Sequence, residues 1–203
     1  PYLGHVSGQE KRWPEGEKVE KILHAPPPQT KKEVRSLIGL LNFYRAYLPS
    51  LASVIAPLTD LTKKNMPEKV VWNSEAEKSL NALKRMISEQ PVLRMPDQDK
   101  EFVLRTDASN RGMGAVLLQE HQGVLHPISY QSKKFVGAEN RYATVEKECL
   151  ATVWAVKRFE RFLYGRKFIL ETDHQPLKCL QKSPTNPRLM RWSLQLQPYQ
   201  FTV

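Results

Sequence analysis

Phe102-Val103-Leu104-Arg105-Thr106-Asp107-Ala108-Ser109-Asn110-Arg111-Gly112-Met113-Gly114-Ala115-Val116-Leu117-Leu118-Gln119 sets an apolar run ending in a single acid against a second apolar run. Between them Ser109-Asn110-Arg111-Gly112 carries hairpin chemistry: Asn and Gly tolerate turn geometry, and Ser bonds its own backbone. The reading is two strands, Phe102 to Thr106 and Gly114 to Gln119, with Asp107 at the end of the first. The ladder fixes the backbone of an acid that ends a buried strand, so its carboxylate is positioned at little entropic cost. Taken alone, Asp107 serves equally well as a cap of the turn through Ser109 or Asn110.

Working outward, Pro127 to Lys133 alternates Ile128 and Tyr130 with polar neighbours, as a half-buried strand does. Thr144 reads as the cap of a long helix whose Val145, Cys149, Val153, Val156, Phe159 and Leu163 form one apolar stripe, closed by Gly165. A second apolar run ending in an acid follows, Phe168-Ile169-Leu170-Glu171-Thr172-Asp173, and Tyr199 to Val203 is again strand-like. The order strand, strand, strand, helix, strand, helices, strand predicts an α/β (α+β) fold with a mixed five-stranded sheet and flanking helices.

Upstream of Glu101 the pattern is different. A strand-like piece at Tyr2 to Val6 precedes a short charged helix over Glu17 to Leu23, and Pro26-Pro27-Pro28 stiffens the chain as a spacer. Thr30 with Glu33 makes a capping box for a helix through Val34, Leu37, Ile38, Leu41 and Tyr44. Leu51 to Leu61 reads as one shorter helix, and Ser74 as the cap of another through Ala76, Leu80, Leu83 and Ile87. The expected organisation is a small helical unit over 25–100, preceded by 1–24 and followed by a sheet domain over 101–203.

The chain carries 31 Lys and Arg against 21 Asp and Glu, a net charge of +10, so its surface should attract a polyanion. That excess is shared by both halves of the chain. Two cysteines, Cys149 and Cys179, are too few for a disulfide framework, which points to reduced, intracellular thiols. No apolar run approaches a membrane span, and no signal peptide is legible. Pro1 and the strand-like run ending at Val203 suggest a piece of a longer polypeptide.

Glu148 lies about one helical turn past Thr144, beside the apolar stripe. Alone it reads as an ordinary solvated glutamate, with Glu146 the surface acid that complements the helix dipole. Asp173 could equally cap a helix after Pro176. Together, two strand-end aspartates and one helix glutamate can converge on one sheet edge, repelling each other unless divalent cations hold them. Such a set would bind two Mg²⁺ or Mn²⁺ about 4 Å apart for hydrolysis of a phosphodiester. His174 beside it suits a structural hydrogen bond, because a hard cation prefers oxygen. The remaining histidines have no metal-ligand spacing.

The segments Thr106-Asp107-Ala108-Ser109, Gly112-Met113-Gly114-Ala115-Val116-Leu117, Glu148-Cys149-Leu150-Ala151 and Thr172-Asp173-His174-Gln175-Pro176-Leu177 closely resemble the ribonuclease H domain of Ty3/gypsy-type retrotransposon polyproteins. Tyr2-Leu3-Gly4-His5 resembles the end of that family's reverse-transcriptase palm, and Leu37-Ile38-Gly39-Leu40-Leu41-Asn42-Phe43-Tyr44-Arg45 its thumb. The resemblance implies a ribonuclease H-like domain after a thumb-like unit, with Asp107, Glu148 and Asp173 as metal ligands that cut the RNA strand of an RNA–DNA hybrid. It implies RNA contacts by Ser109 and Asn110, a polyprotein around the chain, and residence in a cytoplasmic virus-like particle or the nucleus. The family's fourth aspartate would follow Val203, and its polymerase aspartates would precede Tyr2.

A hybrid-processing enzyme needs phosphate contacts more than base readout. The candidates are Lys133 and Lys134, then Lys157, Arg158 and Arg161 on the long helix, and Arg188 and Arg191 with Trp192. Each of these also reads as solvated surface. The rival from another class is a retroelement-derived protein that binds nucleic acid or a partner without cutting. A transposase or integrase with a related acidic triad fits less well, since those enzymes lack a thumb-like segment.

Overall fold

The computed structural model describes residues 4–89, 91–172 and 186–203. Two large cores are built, with a small third cluster of Met113, Phe135 and Ala151 beside the second. The first belongs to a small sheet and five helices: β1 (His5–Gly8), β2 (Lys11–Pro14), α1 (Gly16–His24), α2 (Lys31–Phe43), α3 (Leu51–Val54), α4 (Ala56–Leu61), α5 (Ser74–Ser88) and β3 (Leu93–Arg94). The second belongs to β4 (Phe102–Ala108), β5 (Gly112–His121), β6 (Val124–Lys134), α6 (Thr144–Arg158), α7 (Glu160–Leu163), β7 (Lys167–Thr172), α8 (Pro187–Leu196) and β8 (Gln200–Thr202).

In the first unit the three strands form an antiparallel sheet in the order β1-β2-β3, so residues near 93 return to the chain's start. Val19 and Ile22 of α1 are buried in the same cluster as Val34, Leu41, Leu83 and Ile87. The Thr30 cap forms as expected, its hydroxyl accepting from Glu33 N at 3.2 Å. Glu33 reaches one residue further back, to Gln29 N at 2.6 Å. Two expectations shift. Asn73, not Ser74, caps α5, because the amide oxygen of Asn73 accepts from Ala76 N at 2.8 Å. The segment Leu51 to Leu61 breaks at Ile55 into α3 and α4, with Pro57 opening the second helix, where its missing N–H costs nothing.

The second unit is a five-stranded mixed sheet in the order β6-β5-β4-β7-β8. β4 lies at its centre, antiparallel to β5 and parallel to β7. The β5–β6 hairpin turns on Gln122 and Gly123, both at positive φ (54° and 78°), the geometry of a two-residue turn. On one face Phe102, Leu104, Ala115, Leu117, Phe168 and Leu170 meet Cys149, Val153 and Val156 of α6, with Leu189, Trp192 and Leu196 of α8. Each fully buried side chain of this kind contributes roughly 1.5–3 kcal/mol.

The predicted stripe is right from Cys149 onward, but Val145 is 43% exposed and the helix breaks at Phe159. The break turns Phe162 toward Phe102, with ring centroids 5.8 Å apart. Ala143 occupies the cap position assigned to Thr144, its N–H donating to Glu146 Oε2 at 3.1 Å.

The two units are joined along β6. Its outer carbonyls Ile128 O and Ser132 O accept from the guanidinium groups of Arg12 at 3.1 Å and Arg45 at 2.7 Å. Ser132 Oγ accepts from Ala52 N in the first turn of α3 at 2.8 Å. Lys134 pairs with Asp60 at 3.1 Å. An edge strand that would otherwise offer unpaired backbone is thereby covered.

Candidate metal centre and nucleic-acid face

Asp107 sits near the end of β4, exposed on the sheet face opposite α6. Register gives its neighbours: Asp107 pairs with Gly114, and Gly114 with Ser132. The adjacent row is Glu171, Arg105, Val116 and Tyr130. Arg105 and Glu171 form an ion pair across β4 and β7 at 2.6 Å.

Glu148 lies in the second turn of α6 with its side chain 2% exposed, so the sequence reading of a solvated glutamate is the one the structure corrects. The helix carries Glu148 on the side packed against the sheet. Thr152, one turn on, donates its hydroxyl to Glu148 O at 3.2 Å and lies 3.4 Å from Thr106 Oγ1. Asp107 follows Thr106 directly, so two buried threonines tie the strand that carries Asp107 to the helix turn that carries Glu148. β7 ends at Thr172, which is in register with Thr106. Asp173, next in sequence, lies outside the described residues, as do His174 and Cys179. Among the described residues no three His, Cys, Asp or Glu side chains gather as a metal cluster. The two acids that are described offer carboxylate oxygen only, the donor type that hard divalent cations take.

The proposed nucleic-acid contacts are first of all structural. Ser109 Oγ donates to Gly112 O at 3.0 Å and accepts from Arg111 N and Gly112 N, fixing the hairpin beside Asp107. Asn110 is exposed at the tip of that turn. Lys133 pairs with Glu139 at 2.9 Å. Arg188 pairs with Glu146 at 2.7 Å and stacks over Tyr142 at 4.1 Å, so Glu146 is a brace for α8 as well as a helix cap. Arg191 Nε bonds Pro187 O at 3.2 Å, while Trp192 is buried (8% exposed) in the core rather than offered for stacking. Arg158 donates to Gln131 Oε1 at 3.1 Å, and Arg161 lies over Phe162 at 4.6 Å. With Ser129 these two arginines line a hollow of about 250 Å³ at the far end of α6.

Sequence reasoning did not single out Ser50, Arg105 or Tyr130, which share a small hollow with Asp107. Nothing local marks them. Ser50 is 57 positions from Asp107 and comes near only through the docking of α3 on β6.

Residues 97–199 match the family described as the RNase H-like domain found in reverse transcriptase. Over its whole length the chain is 40% identical to the retrovirus-related Pol polyprotein from transposon 297 of Drosophila melanogaster, of which it covers 19%. It is 37% identical to that of transposon gypsy, with 94% of the chain and 19% of the relative aligned. With the transposon Tf2-3 polyprotein of Schizosaccharomyces pombe it shares 31% over 100% of the chain and 16% of the relative. The chain thus spans less than a fifth of the length of these relatives. In fold it is similar to the foamy viral protease-reverse transcriptase, at a TM-score of 0.84 for the form dRH in complex with double-stranded DNA and 0.81 for the complex with RNA/DNA hybrid. Each is 24% identical and matches 99% of this chain, which makes up 36% and 28% of the respective chains. The sequence match over the sheet domain, the shared fold and the acids placed on β4 and α6 lead to one assignment: the chain belongs to the family of RNase H-like domains found in reverse transcriptase.

Proposed function

We propose that this chain is part of a retroelement reverse transcriptase whose sheet domain hydrolyses the RNA strand of RNA–DNA hybrids at Asp107, Glu148 and Asp173. Residues 1–24 are the end of the palm, 25–100 the thumb and joining segment, and 101–203 the ribonuclease H-like domain. The observation that carries the reading is the tie, through Thr106 and Thr152, between the central strand that bears Asp107 and the helix turn that bears the buried Glu148. Two rigid elements thus fix the backbone positions from which Asp107 and Glu148 extend.

When bound, two Mg²⁺ or Mn²⁺ ions would supply an activated water and stabilise charge on the leaving oxygen. The chain's own contribution is positional. β4 holds Asp107 at the open face where a strand of the hybrid can lie, and α6 holds Glu148 away from solvent. The basic excess, +10 overall, favours a polyanionic partner.

Replacing Asp107 by Asn removes one ligand charge and keeps the shape. Hybrid cleavage in Mg²⁺ should be abolished while the thermal unfolding midpoint stays within a few degrees of the parent's. Equal cleavage by both proteins at matched concentration would sink the assignment, as would robust cleavage in excess chelator. Salt-dependent hybrid affinity with no product in Mg²⁺ would instead support the non-cutting relative.

A further inference from the structure

Ser50 lines, from the helical unit, the hollow that also contains Asp107. It precedes α3 in a left-handed conformation, φ 50° and ψ 26°, which a side chain other than Gly rarely adopts. Its hydroxyl does not cap the helix it precedes. That duty falls to Ser132 of the other unit, which accepts from Ala52 N. Ser50 Oγ stands 3.5 Å from the point where a Cβ on Gly114 would lie, and Gly114 is the register partner of Asp107. Opposed side chains in such a pair are about 5 Å apart at Cβ. The Ser50 hydroxyl therefore lies within a side chain's reach of the carboxylate.

Tyr130 stands in the neighbouring row. Burial pushes its phenol up, against the opposing charge of Arg105, so it is a protonated donor at neutral pH. Among the described residues no hydrogen bond uses its hydroxyl or that of Ser50. Pro49, Ser50, Arg105, Asp107, Gly114 and Tyr130 line an open hollow of about 120 Å³. Arg105 is engaged by Glu171 at 2.6 Å, so the neutral groups left to face the hollow are the two hydroxyls, which suit a partner that both donates and accepts.

We infer that Ser50 and Tyr130 form a ribose subsite that binds the 2′-hydroxyl of the RNA strand beside Asp107, so that the helical unit supplies part of the discrimination between RNA and DNA. The inference rests on the nuclease reading above. The 2′-hydroxyl is the group that distinguishes the two nucleic acids, and it is both donor and acceptor.

The test uses the full chain with Asp107→Asn as the parent, so that no cleavage intervenes. Ser50→Gly removes the hydroxyl and relieves the left-handed strain; Tyr130→Phe removes one oxygen. Dissociation constants are measured for an RNA–DNA hybrid and for hybrids with a single 2′-deoxynucleotide walked along the RNA strand. Each substitution should weaken hybrid binding roughly three- to tenfold, the loss of one neutral hydrogen bond. One ribose position should exist at which 2′-deoxy substitution weakens the parent more than either single variant and leaves the double variant unchanged. Unaltered affinity, or a loss equal at every position, overturns the subsite. Wild-type cleavage is assayed alongside: if the hybrid is cut while the variants bind as the parent does, the subsite falls and the nuclease reading stands. If the wild type neither cuts nor binds the hybrid, the nuclease reading falls and the subsite with it.

Discussion

Thr106 Oγ1 lies 3.4 Å from Thr152 Oγ1, both hydroxyls buried between the central strand and the long helix. Thr152 also donates to the carbonyl of Glu148, so one side chain ties the strand bearing Asp107 to the turn bearing Glu148. Thr152→Val keeps the shape and deletes the hydroxyl. It should cost about 1 kcal/mol in denaturant unfolding, since Thr106 then loses a buried partner. Hybrid cleavage should fall by roughly tenfold if the pair sets the spacing of the acids, a displacement effect of the kind small misplacements produce. A stability loss with cleavage unchanged would show that the threonines serve packing alone.

Gly112 opens β5 at the closest approach of the hairpin to β6. A Cβ added there would meet Lys133 O at 2.5 Å and Lys134 Cα at 3.2 Å, both backbone atoms that cannot swing aside. Gly112→Ala should therefore destabilise by about 2 kcal/mol, within the usual range for overpacking. Gly114→Ala, whose Cβ meets only Ser50 Oγ at 3.5 Å, should cost far less. Chemical denaturation of the two variants side by side checks the order; a reversed order would mean that the hairpin moves as a body.

Arg12 and Arg45 cover the outer carbonyls of β6 from the helical unit. Replacing both by Ala leaves Ile128 O and Ser132 O to solvent and removes two charged hydrogen bonds, each contributing about 1.5–3 kcal/mol. Amide hydrogen exchange in β6 should accelerate by more than tenfold while α6 stays protected. Uniform acceleration across the sheet domain would show instead that the units unfold as one.

His5 stacks on Phe43 with ring centroids 4.9 Å apart, and its Nδ1 lies 3.1 Å from Tyr47 Oη. Burial first, and then the charges of Arg12 and Lys18, lower its pKa from 6.5. The unfolded chain thus takes up a proton near pH 6.5 that the folded chain resists, so the folded state loses stability as the pH drops below that value. The loss is modest because the ring is partly exposed. Urea midpoints at pH 7.5 and 5.5 should differ more for the wild type than for His5→Gln; equal differences would remove His5 as the cause.

The strands and the long helix were legible because their residues carry local signals. The Phe102 run ends in Asp107, one residue before β4 itself ends, and Cys149, Val153 and Val156 repeat at helical spacing. Where neighbours compete, the local signal misplaced a boundary by one residue: Asn73 outbid Ser74, and Ala143 preceded Thr144, because a cap is chosen by which side chain reaches the free N–H groups. Val145 fits the helical period yet faces solvent, since a period does not say how wide the contact with the sheet will be. The β1–β2–β3 sheet escaped notice because it pairs Arg12 with Leu93, 81 positions away.

By itself the sequence determined the strands and long helix of the sheet domain, the net basic charge and the place of Asp107 near the end of its strand, since propensity, hydrophobic period and motif spacing all act within a few residues. It also carried the family, through motifs kept in order along the chain. Only the tertiary structure decided that Glu148 is buried and that its helix turn is tied to the strand of Asp107 through two threonines. Only it placed Ser50 over Gly114, beside that same carboxylate. Those relationships depend on strand register and on the docking of α3 on β6, which join residues far apart in the chain and leave no trace in the neighbours of either one.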